Sequence, residues 1–157
     1  MNQLVMAIFP DDAKAYETAR ELEQPSDPAH TAVRGLAVIV KHADGTVSER
    51  KWTSRIAFRA PIGAVVGALI GLAAGAVGSA IGFTAGGLLG LSRDLANFGI
   101  EESFFNDVAA QLTPGKSALV IEVAGDASAR LEARLRELGA TVLHTDLKSE
   151  PKPSDAR

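Results

Sequence analysis

Residues 60–91 contain no Asp, Glu, Lys, Arg or His, and their glycines recur on a beat: Gly63, Gly67, Gly71 and Gly75, then Gly78, Gly82, Gly86 and Gly90. No other feature constrains the fold of this chain as strongly. Within a helix each glycine costs about 1 kcal/mol relative to alanine, so the set costs on the order of 8 kcal/mol. A helix carries that many only where the missing side chain lets a second backbone come close. Spacing by four stacks the glycines along one side and forms a groove for a partner helix, a glycine zipper through which copies of the chain associate. Apart from a ninth glycine, Gly87, off the beat, the remaining positions are Ala, Val, Leu, Ile and Phe, with Pro61 at the start and Ser79 and Thr84 as the polar exceptions.

As one helix, residues 60–91 would reach about 48 Å, against about 30 Å for the hydrocarbon core of a bilayer. The beat shortens from four to three between Gly75 and Gly78, a natural place to turn. The expected form is therefore a helical hairpin with arms near residues 60–75 and 79–91. Basic and aromatic residues flank it: Trp52, Arg55 and Arg59 before, Arg93 after. That arrangement suits a membrane hairpin with both ends in the cytoplasm, although Trp52 serves equally well as a cover for a sheet. The arms span only about 24 and 20 Å. A membrane hairpin of that length must thin the bilayer, sit partway in, or gain depth by oligomerising. Zippers from several copies could equally bundle away from water in a soluble ring, cage or filament. Burial of so apolar a surface is compulsory, and lipid is one way of providing it.

The flanking segments read as a soluble α/β fold. Residues 4–9 form a short apolar run closed by Pro10, suited to a buried strand, and Asp11 or Asp12 can cap a helix in which Ala15, Tyr16, Ala19 and Leu22 recur at helical spacing. "VRGLAVIVKH" and "TVSERKW" are strands joined through Asp44-Gly45, a pair favoured in two-residue hairpin turns. After the glycine-rich stretch, Ile100, Phe104, Phe105, Val108 and Leu112 share one helical face, "SALVIEV" reads as a strand, and Leu131, Leu135 and Leu138 line a second amphipathic helix ending at Gly139. "TVLHTDL" closes the pattern. "LVMAIFPDDA" and "LVIEVAGDA" echo one another, each a strand, a break, an acidic cap and a helix. Two such halves predict an α+β fold, a ferredoxin-like α/β sandwich interrupted by the glycine-zipper hairpin. The expected division is 1–55 and 93–147 for the sandwich, 56–92 for the hairpin and 148–157 for a disordered tail.

Other signals bound the function. The net charge of -3 and the lack of a basic stripe with interleaved aromatics argue against nucleic-acid binding. Without cysteine there are no disulfides, thiolate metal sites or cysteine nucleophiles. "MNQLVMAIFPDD" lacks the basic start and long apolar core of a secretory signal, so the head is expected in the cytoplasm. "PGKSA" at residues 114–118 ends like a phosphate-binding loop. However, Ala110 stands where the first glycine is needed and a strand follows, so it reads as a helix stop. His30, His42 and His144 are scattered, Glu101, Glu102 and Asp107 lie near a helix start, and Ser117 lacks a nucleophile elbow. No catalytic, cofactor or metal site is expected.

The strand and acid-capped helix at the start, the "DG" hairpin, the Gly/Ala-rich centre, "LTPGKSALVIEV" and "ATVLHTDL" together resemble the DUF1269 family, bacterial proteins described as membrane proteins of unknown function. The resemblance runs to about Leu147 and is most specific at residues 114–119. It implies a bacterial source and a membrane location, and it carries no catalytic residue. The expected function is a non-enzymatic, membrane-associated homo-oligomer at the bacterial inner membrane, with a structural, envelope or stress-related role and cytoplasmic termini. Its expected partners are sister chains and the lipid bilayer. A soluble cytoplasmic assembly and a small-ligand-binding ferredoxin-like domain are the alternatives.

Overall fold

A computed structural model describes residues 2–50, 60–77 and 95–148. Among these, the elements run β1 (Asn2–Phe9), α1 (Asp12–Leu22), β2 (Val33–Lys41), β3 (Val47–Arg50), α2 (Ala60–Val77), α3 (Glu102–Gln111), β4 (Ser117–Ala124), α4 (Ser128–Glu137) and β5 (Thr141–Asp146). The strands form one antiparallel sheet in the order β3-β2-β4-β1-β5. The protein is thus of mixed α+β class. β1 and β2, joined through α1, are separated in the sheet by β4; β4 and β5, joined through α4, are separated by β1. The two halves echoed in the sequence therefore interleave.

Alternation along the strands feeds two cores, because successive side chains point to opposite faces. On one face Val5, Ala7, Phe9, Leu119, Ile121 and Val123 meet Ala15, Ala19 and Leu22 of α1 with Leu131 and Leu135 of α4. On the other, Leu4, Met6, Ile8, Ile39, Ala118 and Val120 meet Ile62, Val65, Val66 and Leu69 of α2 with Val108 of α3. The molecule has three layers, helices over both sides of a sheet. Burial on both faces also explains why β1 and β4 read as continuous apolar runs. α2 belongs to the glycine-rich stretch, and its sheet-facing residues follow the i, i+3, i+4, i+7 spacing of one helical stripe.

Local chemistry sets the ends of the elements. The Asp11 carboxylate accepts from the Lys14 backbone N–H and caps α1. The second acidic cap differs from expectation. A short 3-10 turn at Gly125–Ala127 leads into α4, which starts at Ser128 without a side-chain cap. Gly139 ends that helix at φ +91°, a conformation that L side chains rarely adopt. The hairpin between β2 and β3 also departs from the two-residue reading. His42 N–H bonds to the Thr46 carbonyl, leaving a three-residue loop in which Gly45 takes φ +89°. A turn followed by a left-handed glycine is the usual form of such a loop. Asp44, whose carboxylate accepts from both the Thr46 N–H and hydroxyl, pins it.

The first expected arm of the glycine-zipper hairpin is helical, but it runs through Gly75 to Val77 rather than stopping at residue 75. The second arm at 79–91 lies outside the described residues, as does the expected tail at 148–157 apart from Lys148, whose N–H bonds to the Phe98 carbonyl.

Candidate self-association face and polar clusters

α2 is apolar around its whole circumference, yet the sheet covers only one side of it. Ile62, Val65, Val66, Ala68 and Leu69 are buried, while Gly63, Ala64 and Ile70 are half-buried and Gly67 is exposed. A Cβ built on Gly67 would meet nothing within 4 Å. Packing inside the chain therefore does not require a glycine there, and its helix cost of about 1 kcal/mol is not offset within the described structure. Of the remaining expected zipper residues, Gly71 and Gly75 lie farther along α2, and Gly78, Gly82, Gly86 and Gly90 are outside the described residues. So are Trp52, Arg55, Arg59 and Arg93. Among the described residues no helix is long and apolar enough to cross a membrane. The eighteen residues of α2 reach about 27 Å, and the sheet occupies one side of its first half.

Two polar clusters were not apparent from the sequence. In the first, the buried Glu132 carboxylate on α4 receives three donors. Ser128 Oγ and His144 Nδ1 each lie 3.0 Å from its Oε1, and Arg136 lies 3.2 Å from its Oε2. The available signal was the spacing of Ser128, Glu132 and Arg136 by four, one face of a helix. The fourth member, His144, comes from β5. The His144 side chain is about half exposed, so the cluster stands at the margin of the core.

In the second cluster, Arg134 of α4 makes a paired contact with Asp27, at 2.8 Å to Oδ1 and 2.7 Å to Oδ2, and reaches Glu21 at 3.2 Å. Burial pushes the Asp27 carboxyl up. Hydrogen bonds from Arg134 and the Ala29 N–H, with the guanidinium charge, outweigh burial and hold the carboxyl below its ordinary value. The hydrogen bond to Asp27 correspondingly raises Arg134. This cluster ties the loop after α1 to α4 and is structural in character.

The remaining sequence candidates stay apart. His30 Nδ1 donates to the Leu22 carbonyl at 3.1 Å, and His42 shares a 2.7 Å hydrogen bond with Ser48 beside the hairpin. The shallow groove next to that pair is lined by Asp11, Asp12, Lys41 and Gly115. Gly115 N–H bonds to the Lys41 carbonyl, so "PGKSA" closes a helix and starts a strand. Ser117 is fully buried, and its hydroxyl has no partner among the described residues. Glu122, a single carboxylate within an apolar strand, is buried and accepts from Asn2 at 2.9 Å. No group of three or more His, Asp or Glu among the described residues could hold a metal ion.

Compared with known families, residues 60–154 match the model of the family described as "Protein of unknown function (DUF1269)". No curated protein and no solved structure matches the chain.

Proposed function

We infer the role of this chain from a plain premise: it belongs to the DUF1269 family of proteins of unknown function. The role is that of a non-enzymatic, self-assembling protein. Its ferredoxin-like head, in which β2-β4-β1-β5 and the helices α1 and α4 follow the split βαβ arrangement, carries a glycine zipper that joins sister chains at a bacterial inner membrane. The single observation behind this reading is the exposed Gly67 on a helix that is apolar all round. A helix of that composition is ordinarily buried on every side, and the sheet buries one. Close approach of a second small-residue helix accounts for both the missing side chain and the missing cover.

A second reading, the soluble assembly, is favoured by a different observation. The inner stripe of α2 already belongs to the core of the head, so the zipper begins at the sheet rather than at a lipid surface. Flotation of the full chain with anionic lipid vesicles separates the two. Comigration with vesicles, and mass recovered in detergent, support membrane association. A detergent-free assembly that stays with the soluble fraction overturns the membrane part and leaves the soluble one.

A further inference from the structure

The strand order leaves β5 at one edge of the sheet, and edge strands are normally protected by charge, proline, bulges or a covering element. β5 pairs with β1 over six residues without a bulge and contains neither Lys nor Pro. Its hydrogen-bond directions follow from one contact. Leu147 N–H bonds inward to the Asn2 carbonyl, so by antiparallel alternation the amides of Thr145, Leu143 and Thr141 also point inward, and those of Val142, His144 and Asp146 point outward.

Both ends of this outer edge are closed. The Ala140 N–H bonds to the Leu135 carbonyl, and the Lys148 N–H bonds to the Phe98 carbonyl. Gly99 presses close against Lys148, where an added Cβ would stand 2.9 Å from its Cγ. Between these caps the outward amides of Val142, His144 and Asp146 have no partner among the described residues. The window is short and its midpoint is His144.

We propose that the open window of β5 pairs antiparallel with the same window of a second copy, about a two-fold axis at His144. A two-fold contact must be self-complementary. This register sets Val142 against Asp146 of the copy, with His144 of each chain at the axis. Every free outward amide then gains a carbonyl. Asp146 falls diagonally across from the copy's His144, an attractive neighbour for a basic ring. Half-buried Leu143 with Phe98, Phe104 and Phe105 supplies apolar area in the α3 layer beside this edge, where a bare strand pair would bury little. The contact is independent of the α2 face, so a chain with both surfaces can extend an assembly beyond a pair.

Two substitutions separate the amide from the side chain. His144→Pro removes an outward N–H that the chain itself does not use, at an edge position where proline is compatible with a strand. His144→Ala keeps that N–H and loses the imidazole contact with Glu132. The proposal expects the assembly mass to fall by about half or more with His144→Pro and to be retained by His144→Ala. Retention in both, or equal loss in both, overturns it. Should His144→Pro lose its circular dichroism signal, hydrogen exchange on the unmodified protein decides. Exchange at Val142, His144 and Asp146 slowed to the level of Leu143 and Thr145, and quickened by dilution, supports the pairing. Fast exchange at every concentration overturns it.

Discussion

The two faces of the sheet are covered in different ways. α1 and α4 bury one stripe each, through Ala15, Ala19 and Leu22 and through Leu131 and Leu135, and turn charged residues such as Glu17, Arg20, Arg130 and Arg136 to water. That face is finished by the chain itself. α2 also buries one stripe, through Ile62, Val65, Val66 and Leu69, with half-buried Ala64 and Ile70 packed at its margin, but leaves Gly67 exposed. Among the described residues that face is covered without being finished. Amphipathic helices end a layered fold at solvent, whereas a helix without a polar side requires a further layer.

The largest effects should come from showing that both faces are true cores. Leu119→Ala beneath α1 and α4, and Ile62→Ala on α2, each remove a fully buried side chain and should each lose about 2 to 5 kcal/mol in denaturant unfolding. A loss at Leu119 with none at Ile62 would mean that α2 does not act as a layer of the head in solution.

The finished face also has an electrostatic clasp. Arg134→Ala removes the paired contact to Asp27 and should lose about 1 to 3 kcal/mol. The pH dependence follows from the lowered Asp27 carboxyl. Its contribution is fully present above the unfolded carboxylate value of about 4 and is lost as pH falls through the lower folded value. Asp27→Asn should therefore flatten this part of the acid limb in a stability-against-pH series. An unchanged limb would show that the clasp does not couple to folding.

The strands were legible because β1, β2 and β4 are apolar runs bounded by prolines, glycines and acids. The capping role of Asp11 and the ending of α4 at Gly139 were legible for the same local reasons. The destination of α2 was not. The glycine beat marked one side of this helix for a partner, but with no polar face opposite, nothing in "PIGAVVGALIG" indicates that Ile62 and Val66 meet a sheet of the same chain. The Glu132 cluster was hidden for another reason, since His144 joins it only when β5 is laid beside α4. At Asp44-Gly45 the residue pair pointed to the right place and the wrong loop length, because a left-handed glycine serves both kinds of turn.

A smaller effect concerns the same finished core. Ser117 has a fully buried hydroxyl without a partner among the described residues, so Ser117→Ala should be neutral or stabilise by about 1 kcal/mol in thermal unfolding. A clear loss would indicate a partner for that hydroxyl outside the described residues.

The central claim is that Gly67 is kept for a partner and not for the fold, and Gly67→Leu tests it most directly. Since a Cβ added at Gly67 meets nothing within 4 Å and the position is exposed, the unfolding free energy of the dissociated chain should hold or rise by about 1 kcal/mol. The mass of the assembly, measured by light scattering in matched buffers with and without detergent, should fall. An unchanged mass with unchanged stability would contradict the account, because the open face of α2 would then be neither packing surface nor contact.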